Sequence, residues 1–152
     1  MLLRLKDTRS ELLAASGSFA ALMDLYERNY MLVRRLIPEI PEAGVLDVSR
    51  VEDGLDLHLS IQARHSYTSD FCLTYLFQRA GTQSEEPALQ VRIYHDARAA
   101  EVLGAHLRHL PAFSQLNGHG HADLRERWRV NRFLYKWLSY CLHQGHCFPH
   151  KS

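Results

Sequence analysis

Two periods alternate along the chain and divide it into a helix, a run of strands and a second helix. Phe19, Leu22, Met23, Tyr26, Tyr30, Val33, Leu36 and Ile37 recur at helical spacing behind Ser18, an effective N-cap, and stop at Pro38. Asp24, Glu27, Arg28, Arg34 and Arg35 fall on the other side, so the spacing predicts an amphipathic helix over 18–36. From residue 45 the period drops to two. Leu55, Leu57, Leu59 and Ile61 alternate with Asp56, His58, Ser60 and Gln62, which predicts a half-buried strand; a weaker strand near 45–51 precedes it across an Asp53-Gly54 hairpin turn. Phe71, Leu73, Tyr75 and Phe77 line one face of a third strand, 79–87 reads as a polar loop, and 88–95 reads as a fourth strand. Residues 97–107 open on Ala-Arg-Ala-Ala-Glu, good helix formers, yet they follow a strand; a bulge or tight turn and then another strand is the expectation. The stretch 110–122, with Pro111, Asn117, Gly118 and Gly120, reads as loop. A final helix over 123–144 sets Val130, Phe133, Leu134, Trp137, Leu138 and Cys141 on one face and stops at Gly145.

Short connections favour antiparallel neighbours in sequence order. The expected fold class is therefore α+β, a four- to five-stranded antiparallel meander with the helices over 18–36 and 123–144 packed on one face. With 152 residues and 46% hydrophobic content, a single domain over 1–152 can bury roughly two thirds of its unfolded surface. The segment 1–17, including a short helix over 7–15, is expected to be loosely attached, and 146–152 to form a mobile tail.

Charge narrows the classes of partner. Eighteen basic against seventeen acidic residues leave a formal charge of +1, which argues against a protein coated for nucleic acid or membrane. No window approaches the ~18 apolar residues of a membrane span, and three cysteines, at 72, 141 and 147, make no disulfide framework. A cytoplasmic location is expected, with no membrane partner and no cofactor.

Candidate chemistry is concentrated in three places. In the fourth strand, alternation puts Val91, Ile93 and His95 on one face and Arg92, Tyr94 and Asp96 on the other, with Glu101 close behind. Arg92 can hold an anion there, and Asp96 or Glu101 can orient a polar ligand or accept a proton. On the final helix, Arg125, Arg129, Arg132 and Lys136 stack four cations in a stripe suited to phosphates, although such a stripe opposite a core face is more often solvated surface. Near the C-terminus, His143, His146, Cys147 and His150 are of metal-ligand type but match no established spacing. His95-Asp96 also belongs to metal-dependent phosphohydrolases, but those are all-helical and this dipeptide ends a strand. No nucleophile elbow and no phosphate-cradling loop is present.

Three stretches together carry a resemblance. Leu25-Tyr26-Glu27-Arg28-Asn29-Tyr30 runs into Leu32-Val33-Arg34-Arg35-Leu36-Ile37-Pro38; Val91-Arg92-Ile93-Tyr94-His95-Asp96-Ala97 is followed by Ala100-Glu101-Val102; and Asn131-Arg132-Phe133-Leu134 is followed by Trp137-Leu138 and Cys141-Leu142. In these the chain resembles the YqiB-like family of bacterial proteins, a domain of unknown function, over most of residues 18–145. The resemblance implies a small cytoplasmic protein with no established activity. It also marks Arg92, Tyr94, His95, Asp96, Glu101 and Asn131 as motif positions. Family genes often lie beside those of nucleotide-cleaving enzymes, a weak pointer to a nucleotide or regulatory connection. Arg125-Glu126-Arg127 stands where the family tends to have Asp-Glu-Lys, and the His146-Cys147-His150 tail is no part of the pattern.

The expected function is accordingly a binding or regulatory module that recognises an anionic small molecule or a protein partner through the polar sheet site. A homodimer through the uncovered sheet face is a further expectation. The alternatives are an enzyme on a phosphorylated or nucleotide substrate with a carboxylate base, and nucleic-acid binding through the Arg125, Arg129, Arg132, Lys136 stripe.

Overall fold

The computed structural model describes residues 18–79, 81–107, 112–114 and 124–149. Helix α1, Phe19–Leu36, begins where the Ser18 hydroxyl accepts the Ala21 N–H at 3.1 Å. It ends before Pro38, with Arg34 and Arg35 in a last turn whose dipole favours cations. Six strands follow: β1, Leu46–Ser49; β2, Leu57–Arg64; β3, Thr68–Arg79; β4, Thr82–Tyr94; β5, Ala99–His106; and β6, Phe113–Ser114. Helix α2, Leu124–His143, closes the fold.

The strands lie in sequence order, each antiparallel to the last, as short connections require. Sheet and helices make the molecule α+β, with six strands instead of four or five. One extra strand comes from β6, two residues inside the stretch read as loop over 110–122. The rest of the discrepancy is in strand length. Residues 79–87 are not a polar loop, because β3 and β4 pair onward to Arg79↔Thr82 around Gly81, whose positive φ of 81° closes the hairpin. Pro87, which has no N–H to give a ladder, falls where the β3–β4 register shifts between Thr74 and Leu76. Asp53-Gly54 does not make a two-residue turn either. The connection runs over 50–56, and Asp53, not the glycine, takes the left-handed conformation at φ 55°. Residues 97–107 do adopt a turn and then a strand, since β4 and β5 pair from Tyr94↔Ala99 to Ala88↔His106.

Alternation places the core on one face of the sheet. Leu57, Leu59 and Ile61 from β2, Phe71, Leu73 and Tyr75 from β3, and Leu89, Val91 and Ile93 from β4 are buried against Val33 and Leu36 of α1 and Val130, Leu134, Trp137 and Leu138 of α2. Their burial removes the strands' apolar face from water, which is the main driving force for forming the layer. The second helix stops with a Schellman arrangement: His146 N–H donates to the Cys141 carbonyl at 3.0 Å and Gly145 N–H to the Leu142 carbonyl at 3.1 Å, with Gly145 at φ 95°. That turn drives the following residues inward. His146 and Phe148 are each only 2% exposed, and the Phe148 N–H donates to the Leu36 carbonyl at 2.8 Å. Where sequence suggested a loose tail, residues 146–149 strap the end of α1; residues 1–17 and 150–152 lie outside the described residues. No described helix is long and apolar enough to cross a membrane.

Candidate functional site

Cross-strand register builds the first polar cluster. Asp70 pairs with Arg92 and Arg92 with Glu101, so an acid, a base and an acid stand abreast on the face of β3, β4 and β5 opposite Phe71 and Val91. Arg92 could serve either acid, and it takes Asp70, donating from Nε at 2.8 Å and from Nη2 at 3.0 Å. This two-pronged geometry suits a planar guanidinium, and the pair holds Arg92 in its charged form. Glu101 accepts instead from the Tyr94 hydroxyl, two residues along β4. Burial and the Glu101 carboxylate push the Tyr94 phenol up to about 12. The Tyr26 hydroxyl of α1 is buried beside the same carboxylate and near Arg127, its phenol driven upward by burial and by Glu101, but it is outside hydrogen-bonding geometry. The result is two adjacent bonded pairs, Asp70–Arg92 and Tyr94–Glu101, with Tyr26 and Arg127 close to the second. Their chemical capacity is to lock side chains together, because the guanidinium and the carboxylate expected to bind ligand already hold each other's neighbours.

Only part of the motif group meets there. Asp96 is exposed in the turn over 95–98, and no hydrogen bond or ion pair among the described residues joins it to Arg92 or Glu101. His95 has the opposite strand parity and faces the helix side, where its Nε2 lies 2.8 Å from the Ser69 hydroxyl and its N–H donates to the Tyr67 carbonyl. Asn131 is fully buried beneath β5. Its Oδ1 accepts the Val102 N–H at 2.9 Å, its Nδ2 donates to the Arg127 carbonyl at 2.8 Å, and its own carbonyl accepts Asn29 Nδ2 at 3.0 Å. Asn131 thereby gives the Val102 N–H of β5 a side-chain acceptor from α2. Asn131 is thus a clamp between two helices and β5.

The second cluster surrounds a hollow of about 740 Å³ at the end of α1. Arg34 comes from the helix's last turn, Arg64, His65 and Ser66 from the β2–β3 hairpin, and His95 from the end of β4, with Glu39 and Ile40 on the remaining side. Pairing of Thr68 with Tyr94 and the Tyr67–His95 backbone bond bring the hairpin to that end of β4. Burial and the nearby Arg34 and Arg64 hold the His95 imidazole below its ordinary range. Neither arginine has a described carboxylate within 4 Å. Among the described lining residues two permanent cations face one acid, Glu39, so the lining is net positive, with Asp96 acting on His95 from the adjoining turn. Sequence reasoning singled out His95 but missed Arg34, Arg64 and His65, which come from α1 and the β2–β3 hairpin, far apart in the chain. Asp70 was equally absent, although Phe71 facing inward obliges Asp70 to face outward.

The remaining candidates stay apart. Arg125, Arg132 and Lys136 are exposed on α2, while Arg129 is half-buried with Nη1 enclosed and without a partner. His143 ends α2 in solvent, Cys147 is exposed, and buried His146 places Nδ1 2.9 Å from the Ser49 hydroxyl, which also accepts the Cys147 N–H at 3.1 Å. His150 lies outside the described residues, among which no three His, Cys, Asp or Glu side chains gather as a metal site. Cys141 is buried 3.2 Å from the Tyr75 hydroxyl and its thiol is pushed up to about 11 by burial, so it stays protonated near neutrality. Of the three thiols, exposed Cys147 is expected to be alkylated first by iodoacetamide and Cys141 last, an order that mass spectrometry of timed samples checks.

Comparison with known proteins bears out the family resemblance. Residues 32–147 match the family described as "Protein of unknown function (DUF1249)". The chain is similar to the "Uncharacterized protein YqiB" of Escherichia coli K12, and equally to those of strains O6:H1 and O157:H7, at 33% identity over 131 residues, covering 84% of this chain and 90% of each relative. No solved structure matches.

Proposed function

The chain belongs to this YqiB-like family of unknown function, and on that footing we propose that it is a binding module for an anionic small molecule, held in the hollow at the end of α1. The observation that carries the reading is the convergence of Arg34, Arg64, His65 and His95 from separate elements on one concavity with a single carboxylate, Glu39, opposite. Guanidinium forks donate to carboxylate or phosphate oxygens, and Ser66 adds a neutral donor. The Asp70-bound Arg92 is less suited to the task, because an incoming anion would have to displace a bidentate carboxylate. Arg92, Tyr94 and Glu101 support the reading differently, by fixing β3, β4 and β5 in the register that presents His95. Asp96, exposed in the adjoining turn, can contribute at most to the rim.

Calorimetric titration with inorganic phosphate and pyrophosphate tests the site. Because a hydrogen bond to a charged group is worth about 1.5–3 kcal/mol, Arg34→Ala and Arg64→Ala should each weaken binding about tenfold or more. Both side chains are exposed, so the substitutions should leave thermal stability nearly unchanged. Affinity should fall as salt rises. Binding that is absent, or indifferent to both substitutions, would sink the reading.

A further inference from the structure

Beside the cationic hollow lies a second concavity of about 420 Å³, and the two share Glu39, Ile40 and Arg64 in their walls. Their linings differ in kind. Beyond those three, the first is lined by guanidinium, imidazole and hydroxyl groups, whereas the second adds Pro41, Val45, Phe148 and Pro149. From this continuity we propose that the ligand is an amphipathic anion, with its charged head between Arg34, Arg64 and His95 and an apolar body lying along Ile40, Val45 and Phe148. The proposal rests on the anion-site reading above and adds to it the chemical class of the molecule.

The orientation follows from charge. Glu42 and Asp47 border the second concavity, so a negative head placed there would meet like charge, whereas Arg64 sits where the two concavities join and attracts the head into the first. The apolar floor is rigid, since Ile40 is 5% and Phe148 2% exposed, and the backbone bond from Phe148 to Leu36 fixes the strap that carries it. Val45, by contrast, is 38% exposed just before an edge strand. An exposed valine beside fixed apolar side chains is surface that an apolar ligand would cover.

Titration of the full chain with methyl, butyl and hexyl phosphate tests the class. A body that enters the groove should tighten binding by up to about fourfold for each methylene covered, the factor that corresponds to ~0.8 kcal/mol. Val45→Ser should flatten this dependence on length and leave methyl phosphate binding intact. Arg34→Ala combined with Arg64→Ala should weaken all three ligands alike. Equal affinity for all three in the unaltered chain would overturn the amphipathic class and leave the anion site standing, whereas no binding of any would remove both. Hexanol binding as well as hexyl phosphate, or hexyl phosphate binding that ignores the arginines, would overturn the orientation. Pelleting with phosphatidic acid vesicles and no response to soluble hexyl phosphate would also overturn it, since the hollow would then read a lipid surface.

Discussion

Replacing Asn131 by alanine is expected to destabilise the fold by roughly 2–3 kcal/mol and to lower the melting temperature by about 5–10 °C. Most of the loss falls on the buried contact to the Val102 N–H, from which the Asn131 acceptor is removed. Removing the acceptor of a buried donor costs about 1–3 kcal/mol. The bond to the Arg127 carbonyl matters less, because that oxygen also lies within the backbone ladder of α2. Alanine's better helix propensity returns at most about 0.7 kcal/mol, too little to reverse the sign. Asn131→Asp keeps an acceptor for Val102 but buries a charge against the Arg127 carbonyl, so at neutral pH it should cost more than alanine. Asn29→Ala should cost less than Asn131→Ala, since the Asn29 Oδ1 has no hydrogen-bond partner to lose. Urea denaturation of the three variants checks the order; an Asn131→Ala chain as stable as the parent would show that the Val102 amide does not depend on Asn131.

Asn131 also shows what could be read in advance. Its helix was legible, because Val130, Leu134, Trp137, Leu138 and Cys141 recur at a period no strand can use. That it was buried was not, since an asparagine next to Arg132 and one turn from Arg127 reads as surface until its bond to the Val102 N–H is known. The same division runs through the sheet. Strands declared themselves by alternation, and the 97–107 segment followed its position after β4 instead of its helix formers, as β pairing to a neighbour commonly decides. The β3–β4 hairpin was misread because Thr82-Gln83-Ser84-Glu85-Glu86-Pro87 has loop composition, yet backbone pairing needs no apolar side chains once Gly81 has turned the chain. Register is the missing quantity. Only pairing reveals that Asp70 stands opposite Arg92 and that Arg64, His65 and His95 gather beside Arg34, and so it decided which residues of the motif share a site.

Acidification from pH 7.5 towards 5 is expected to weaken the fold steeply, and His146 is expected to carry much of the change. The ring is enclosed by β1, the 50–56 connection and the C-terminal strap: Nδ1 meets the Ser49 hydroxyl, the Tyr75 ring centre is 6.0 Å away, and Nε2 is buried without a partner. Burial disfavours the imidazolium and lowers its affinity for a proton, with Asp56 and the Leu55 and Ser49 backbone opposing only in part. His95 is shifted in the same direction by burial and by Arg34 and Arg64, with Asp96 opposing. In the unfolded chain both rings titrate near 6.5. Above that pH neither state is protonated and the stability is complete. Below it the unfolded chain takes up protons that the native rings refuse, so stability falls by as much as about 1.4 kcal/mol per pH unit for each ring. The loss levels off once the pH passes below the native values, where folded and unfolded chains are protonated alike. Half-buried His95 should contribute less than His146. Urea midpoints measured between pH 5.5 and 7.5 for the parent and His146→Gln isolate the His146 share, because the other histidines cancel in the difference. The glutamine variant should be less stable at pH 7.5 and visibly less sensitive to acid; parallel curves for the two proteins would mean that the enclosed ring accepts its proton as readily as a free one.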